Sequence, residues 1–240
     1  MDSNSSQGDF WLFGYGSLIW KPPPHFDKRL PGYIEGYVRR FWQASEDHRG
    51  TPEAPGRVVT LIEHSHWAKI TDNKHTASPK VWGAAYHIPA CKAAEVREYL
   101  DIREINGYSM QYTPFHVSAT TSEPSQKEAS FSCLVYIGLP DNPQFLGPQD
   151  QQPLAEHILK STGPSGENRE YLYMLDEVLT GLSDESRDEH IHDLARRCRE
   201  LEQAHGGDLG NTVRDGVPGT LKRVGSTQEQ EEVEREEEMQ

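Results

Sequence analysis

The chain has 240 residues, 38 acidic against 24 basic, a formal net charge of −14 and a mean hydropathy of −0.77. It is long enough for one large domain or two small ones with a real core. The acid excess disfavours a general nucleic-acid binder, which needs a basic surface. Ser226 to Gln240 holds seven Glu and one Arg, a net of −6, so the rest carries −8. Cys91, Cys133 and Cys198 are far apart and form no C-x-x-C pair, which suits a reducing compartment and excludes a disulfide scaffold. Met1 to Asp9 has no basic n-region or apolar h-region, and no stretch is long and apolar enough to span a membrane. The expectation is a soluble, cytoplasmic protein with a disordered leader at 1–9.

In chain order, Trp11 to Gly14 reads as a buried first strand. Lys21-Pro22-Pro23-Pro24 forces a turn. Tyr33 to Ser45 is rich in aromatic and β-branched residues and predicts strands, with Gly36 at a bulge or bend. Asp47 to Pro52 and Pro55-Gly56 form a loop. Strands follow at Arg57 to Ile62 and Val81 to Ile88, around a polar excursion at 63–79. Pro89 suits a helix start, and Ala90, Ala93, Ala94, Val96, Tyr99 and Leu100 give that helix an apolar face. Asn106-Gly107 should end it. Tyr112 to Thr120 and Phe131 to Ile137 read as strands, with a polar loop at 121–130.

After Pro148 the pattern turns helical. Leu154, Ile158 and Leu159 mark one helix, closed by Thr162-Gly163-Pro164-Ser165-Gly166. Tyr171, Leu172, Leu175, Val178, Leu179 and Leu182 mark a second. Ile191, Leu194, Ala195, Cys198 and Leu201 mark a third, with Ser186 and Glu189 spaced as a capping box. From Gly206 the chain loses apolar periodicity, and 206–240 is expected to be a disordered acidic tail. Strands, an interrupting helix, more strands and then helices make an α+β pattern, one that fits a small closed or nearly closed barrel.

Phe13-Gly14-Tyr15-Gly16-Ser17-Leu18 is the stretch most suggestive of a site. Two glycines let the backbone turn sharply and let a ligand approach N–H groups, which favour an anionic or carbonyl oxygen. The same spacing also fits a plain tight turn. There is no G-x-x-x-x-G-K-[ST], no G-x-G-x-x-G opening a helix and no G-x-S-x-G elbow, so nucleotide binding and a Ser17 nucleophile have little support. His64-x-His66 would share a face if extended, but no three- or four-ligand metal set is evident. Glu104, beside Arg103 at the end of the interrupting helix, suits acid–base chemistry if held in a cleft; a solvated surface glutamate fits the same position.

Several strings together resemble the gamma-glutamylcyclotransferase superfamily, in its ChaC-like, glutathione-specific branch. They are Phe13 to Lys21, Arg40 to Ser45, Asp47 to Pro52, Pro55 to Leu61, Tyr99 to Tyr108, Tyr136 to Gly138 and Gly163 to Leu172, in the family's order. The resemblance covers roughly 10–200 and leaves out 63–79 and the tail; the catalytic domain is placed at 10–205. It implies a small mixed β-barrel with flanking helices, no cofactor, and cleavage of glutathione to 5-oxoproline and cysteinylglycine. It places the catalytic glutamate on Glu104 and the substrate loop on Phe13, Gly14, Tyr15, Gly16, Ser17 and Leu18, with Tyr171 bordering the pocket. Arg49 and Arg57 are candidates for a substrate carboxylate, with structural ion pairs or loop hydrogen bonds as the competing role. Other γ-glutamyl compounds as substrates, or a non-catalytic binding protein on the same fold, are the alternatives; oligomeric state is not readable.

Overall fold

The computed structural model describes residues 8–70, 77–103, 108–118, 130–138 and 142–208. The leader at 1–7 and the tail from 209 onward lie outside the described residues, as do Asn106-Gly107 and 119–129. The chain divides into two units, Met1–Ala204 and His205–Gln240, and the described part of the second is the end of one helix.

Five strands close a barrel in the order β1 (Phe10–Gly14), β5 (Lys80–Ile88), β2 (Lys28–Glu35), β6 (Tyr108–Val117) and β7 (Ser130–Gly138). Four of the five pairings are antiparallel; the seam is parallel, with Leu12 of β1 opposite Leu134 of β7. Closure leaves no free sheet edge. β2 begins well before the predicted Tyr33, and β6 begins at Tyr108, not Tyr112. Pro31 masked the first of these, since proline argues against a strand paired on both sides. It is accommodated opposite Ala84, just beyond Gly32↔Val117, where β6 pairing ends.

Gly36 sits at φ +85°, a left-handed conformation that favours glycine. There the chain leaves the barrel for a separate hairpin, β3 (Tyr37–Ser45) and β4 (Gly56–Glu63). Its register slips between Arg40 and Gln43. Within that irregularity the Phe41 N–H donates to Nε2 of buried His190 at 3.0 Å. The predicted excursion opens with a short helix, α1 (His64–Trp67), so His64 and His66 do not share a strand face.

Helix α2 (Ala93–Arg103) buries Ala93, Val96 and Leu100 against Phe10, Leu12, Leu134 and Tyr136. Its face is narrower than predicted, because Ala90 lies in a preceding 3-10 turn and Ala94 is exposed. Each fully buried Val or Leu contributes about 1.5–3 kcal/mol. Helices α3 (Gln151–Lys160), α4 (Asn168–Leu182) and α5 (Glu189–Asp208) pack their apolar stripes with Phe41, Val59 and Leu61 in one core. A two-residue ladder, β8 (Thr162–Gly163) and β9 (Gly166–Glu167), joins α3 to α4. The α5 start differs from the capping-box expectation. Asp188 Oδ1 accepts from the N–H groups of His190 and Ile191 at 3.1 and 3.3 Å, while Ser186 Oγ donates to Leu179 and Ser183 carbonyls. None of the described helices is long and apolar enough to cross a membrane.

His87 on β5 lies between two carboxylates, 2.6 Å from Asp27 Oδ1 and 2.9 Å from Asp9 Oδ2. Burial opposes its charged form, but hydrogen bonds and attraction from the two aspartates outweigh it and raise the pKa above the ordinary histidine value. A raised folded-state pKa stabilises fully below the unfolded value of ~6.5, and the contribution is lost as pH rises through the folded value. Melting curves of His87→Gln should therefore fall furthest below the parent near pH 5–6. The gap should close toward pH 8; a gap that widens with pH would contradict the ion-pair account.

Candidate active site

The site is built where β1 leaves the barrel. Its last pair is Gly14↔Ala84. Tyr15 is then buried, Gly16 adopts φ −129° and ψ −131°, and Ser17–Ile19 form a 3-10 turn. The turn uses its carbonyls: Ile19 N–H donates to Gly16 O at 3.0 Å, and the N–H groups of Trp20 and Lys21 donate to Ser17 O at 3.1 and 2.8 Å. The first N–H groups of such a turn have no partner within it. A side chain at either glycine would press on its neighbours. A Cβ at Gly14 would lie 2.6 Å from Leu18 Cβ, and one at Gly16 would lie 2.9 Å from Tyr171 Oη and 3.1 Å from Val59 Cγ2. Buried Tyr86 fixes the far side by donating its hydroxyl to Leu18 O at 2.7 Å.

Tyr171 therefore stands directly against the loop. Its ring is framed by Trp20 and Phe41, with centroids 5.4 and 5.7 Å away, and by the Arg49 guanidinium at 5.9 Å. Arg49 donates to Glu167 O at 3.0 Å and lies 3.5 Å from Glu170 Oε2. Burial lowers its pKa from the ordinary arginine value, and Glu170 opposes that shift.

Arg57 is committed differently. Its Nη1 donates to the carbonyls of Pro55 and Gly56, both at 2.9 Å, and its Nε donates to Gln149 Oε1 at 3.3 Å. Those bonds suit the loop-frame role weighed against substrate contact. Phe13 is likewise interior, with its ring 5.7 Å from Phe115 in the core cluster that also holds Tyr15 and Ile19.

Two long-separated loops lock together behind Tyr171. The Ser165 N–H donates to His48 O at 2.9 Å, and a Cβ at Gly163 would overlap Gly50 N and His48 O. Gly50 and Gly56 meet each other's backbone region in the same way. Fully buried Asn168 closes the joint: its Oδ1 accepts from Arg57 N–H at 2.7 Å and its Nδ2 donates to Arg57 O at 2.6 Å. The amide thus pairs with β4 as a neighbouring strand would.

Glu104 lies outside the described residues. The elements on either side of it are described. Helix α2 ends at Arg103 and shares its apolar cluster with Leu18 of the loop. β6 starts at Tyr108, opposite Gly138, the last residue of β7. Because β1 and β7 are parallel, Gly14 and Gly138 finish at the same end of the barrel. The loop corner and the start of β6 therefore occupy one mouth.

Sequence reasoning passed over Asn168, Val59, Trp20 and Arg39. Asn168 directly follows Gly166-Glu167, and Arg39 is one of two adjacent arginines in an otherwise largely apolar strand; nothing local states what either touches. A cavity of about 510 Å³ lined by Asp9, Phe10, Trp11, Arg97 and Tyr112 opens near the start of β1 and contains none of the predicted site residues. Among the described residues, no three His, Cys, Asp or Glu side chains cluster as metal ligands.

A barrel with a Gly-Tyr-Gly-Ser corner and a helical wall defines a class that family comparison makes explicit. Residues 10–201 match the model of the ChaC-like protein family, and the chain belongs to that family. Its relatives include a glutathione-specific gamma-glutamylcyclotransferase from Schizosaccharomyces pombe, 44% identical over 204 residues, covering 85% of this chain and 98% of the relative. The enzyme of the same name from Saccharomyces cerevisiae is 39% identical, covering 74% and 88%. The crystal structure of a yeast gamma-glutamyl cyclotransferase specific to glutathione, in selenomethionine form, superposes with a TM-score of 0.73 at 35% identity, covering 81% of this chain and 97% of that one.

The glycine joint is open to a direct check. Gly163→Ala should cost about 1–3 kcal/mol through backbone overlap, seen as a melting temperature lower by roughly 2–10 °C. Gly181→Ala, where a Cβ meets nothing within 4 Å, should not fall. An unchanged melting temperature for Gly163→Ala would contradict the close approach.

Proposed function

We propose that this protein is a glutathione-specific gamma-glutamylcyclotransferase, which converts glutathione to 5-oxoproline and cysteinylglycine. The observation that carries the reading is the shared barrel mouth: the loop corner at Gly14 and the start of β6 at Tyr108, which follows Glu104 closely in sequence, lie at the same end. Family membership and the names of its fungal relatives support the substrate.

The α-amine of the γ-glutamyl group attacks its own γ-carbonyl, and a five-membered ring closes as the peptide nitrogen leaves. The attack is intramolecular, so holding amine and carbonyl in line contributes most; effective molarity supplies roughly 7–11 kcal/mol in well-oriented cases. The reaction then needs a base for the incoming ammonium and an acid for the departing nitrogen. Glu104 serves as both in turn. The tetrahedral oxyanion needs donors already in place, and backbone N–H groups between Tyr15 and Leu18 supply them. Tyr171 walls the γ-glutamyl group against this loop. Of the two arginines, Arg49, which faces Tyr171 and Glu170, meets a substrate carboxylate, while Arg57 frames the loop. These steps involve no cofactor.

Glu104→Gln keeps the side chain's shape and removes its proton chemistry. Turnover of glutathione should fall by about 10²–10⁴, with circular dichroism and melting temperature near the parent. Release of 5-oxoproline at the parent rate would remove Glu104 from its role. γ-Glutamyl-alanine assayed in parallel tests the glutathione preference: equal kcat/KM for the two would leave a general γ-glutamyl enzyme.

A further inference from the structure

Arg39 is a buried cation, 2% exposed, near the start of β3. It crosses from the hairpin to the barrel, where Nη2 donates to the carbonyl of Trp82. Trp82 lies on β5 two residues beyond Ala84, the last partner of β1. Arg39 therefore takes up a β5 carbonyl at the point where β1 turns away to form Tyr15 and the substrate loop. Its one ion pair among the described residues is with Asp188, at 3.5 Å, and its Nε has no hydrogen-bond partner among them. An arginine desolvated this far is costly to fold around unless compensated by nearby charge or dipoles. Burial lowers its pKa, and Asp188, Tyr171 and Tyr15, in that order, act against that shift. Tyr15 is the first residue of the loop beyond β1, and the Tyr171 hydroxyl stands against Gly16.

Resting on the cyclotransferase reading, we infer that Arg39 is a positioning residue for the reaction: it fixes the corner where β1 leaves the barrel, and its positive charge makes the hydroxyls of Tyr15 and Tyr171 stronger hydrogen-bond donors toward the reacting γ-glutamyl group. A fixed cation behind a hydroxyl, away from water, strengthens donation where negative charge develops and costs no reorganisation during the step. The benefit falls on the transition state more than on the bound substrate, so it belongs in kcat. Lysine carries the charge but lacks the planar fork that spans the Trp82 carbonyl and Asp188 together.

The test combines kinetics with tyrosine spectroscopy. In Arg39→Gln, kcat for glutathione should fall about ten- to a hundredfold, with KM changed much less, and Arg39→Lys should recover part of the loss. In protein labelled with ¹³C at tyrosine Cζ, the Tyr15 and Tyr171 resonances, assigned with Tyr→Phe variants, should move in Arg39→Gln and return toward the parent in Arg39→Lys. Unmoved tyrosine resonances would reduce Arg39 to an ordinary structural residue, and an unchanged kcat in folded Arg39→Gln would overturn the inference. If the Arg39 variants do not fold, the Arg39 Nε–H resonance in Tyr15→Phe and Tyr171→Phe reads the same coupling from the other side. A shift in either supports it, and none in both overturns it. A parent protein that does not turn over glutathione would sink the cyclotransferase reading, while the resonances would still report whether Arg39 acts on the two phenols.

Discussion

The parallel seam between β1 and β7 is the constraint on which the rest depends. Every other pairing in the barrel is antiparallel, and short turns or modest excursions suffice to connect such strands. The seam brings together the first and last strands of the barrel, so their C-terminal ends lie side by side. The first strand then stops early, at Gly14, and the chain turns across the open mouth. A barrel sealed by an antiparallel seam would put the end of β1 beside the start of β7, at the other end from the start of β6. The loop and the start of β6 share a mouth because of one strand's direction.

Where strands part company, this fold repairs the ladder with side chains. Trp82 loses β1 as a neighbour and gains an arginine; Arg57 of β4 pairs with an asparagine amide; the irregular turn of β3 at Phe41 is met by a histidine ring. All three groups are buried, and each pairs a backbone group that would otherwise be costly to leave unsatisfied. The repairs cluster around Tyr15, Phe41 and Tyr171. Irregular backbone is what lets a loop enter the mouth, and irregular backbone is what needs non-backbone partners.

Much of the fold was legible in the sequence because its signals are local. Aromatic and β-branched runs marked β1, β4, β5 and β7, and 3.6-residue stripes marked α3, α4 and α5; Leu172, Leu175, Leu179, Ile191, Leu194 and Cys198 are buried as that spacing requires. Early strand starts were hidden by local chemistry that argues the other way: Pro31 in β2, and polar residues such as Ser109 and Gln111 in β6. The glycine loop was visible as a turn, and it took family resemblance to give it a role. Arg39 and Asn168 were not legible, because their partners stand 43 and 111 residues away in sequence. The assignment of Ser186 as a cap failed for a related reason: Asp188 is closer to the first helical N–H groups, and Ser186 is drawn back to the end of α4.

The joint between the loop at residues 48–57 and the segment at 163–168 has a kinetic side. Its contacts connect parts of the chain more than a hundred residues apart, and loop closure of that length has to be met before any of them form. Pairings of that kind belong late in folding, after the local helices and hairpins. The wall that holds Tyr171 against the loop is thus among the last parts to assemble. A chain emerging during synthesis would complete β1, the loop and most of the barrel well before it owned the asparagine that locks them, so the pocket takes shape only when folding is nearly finished.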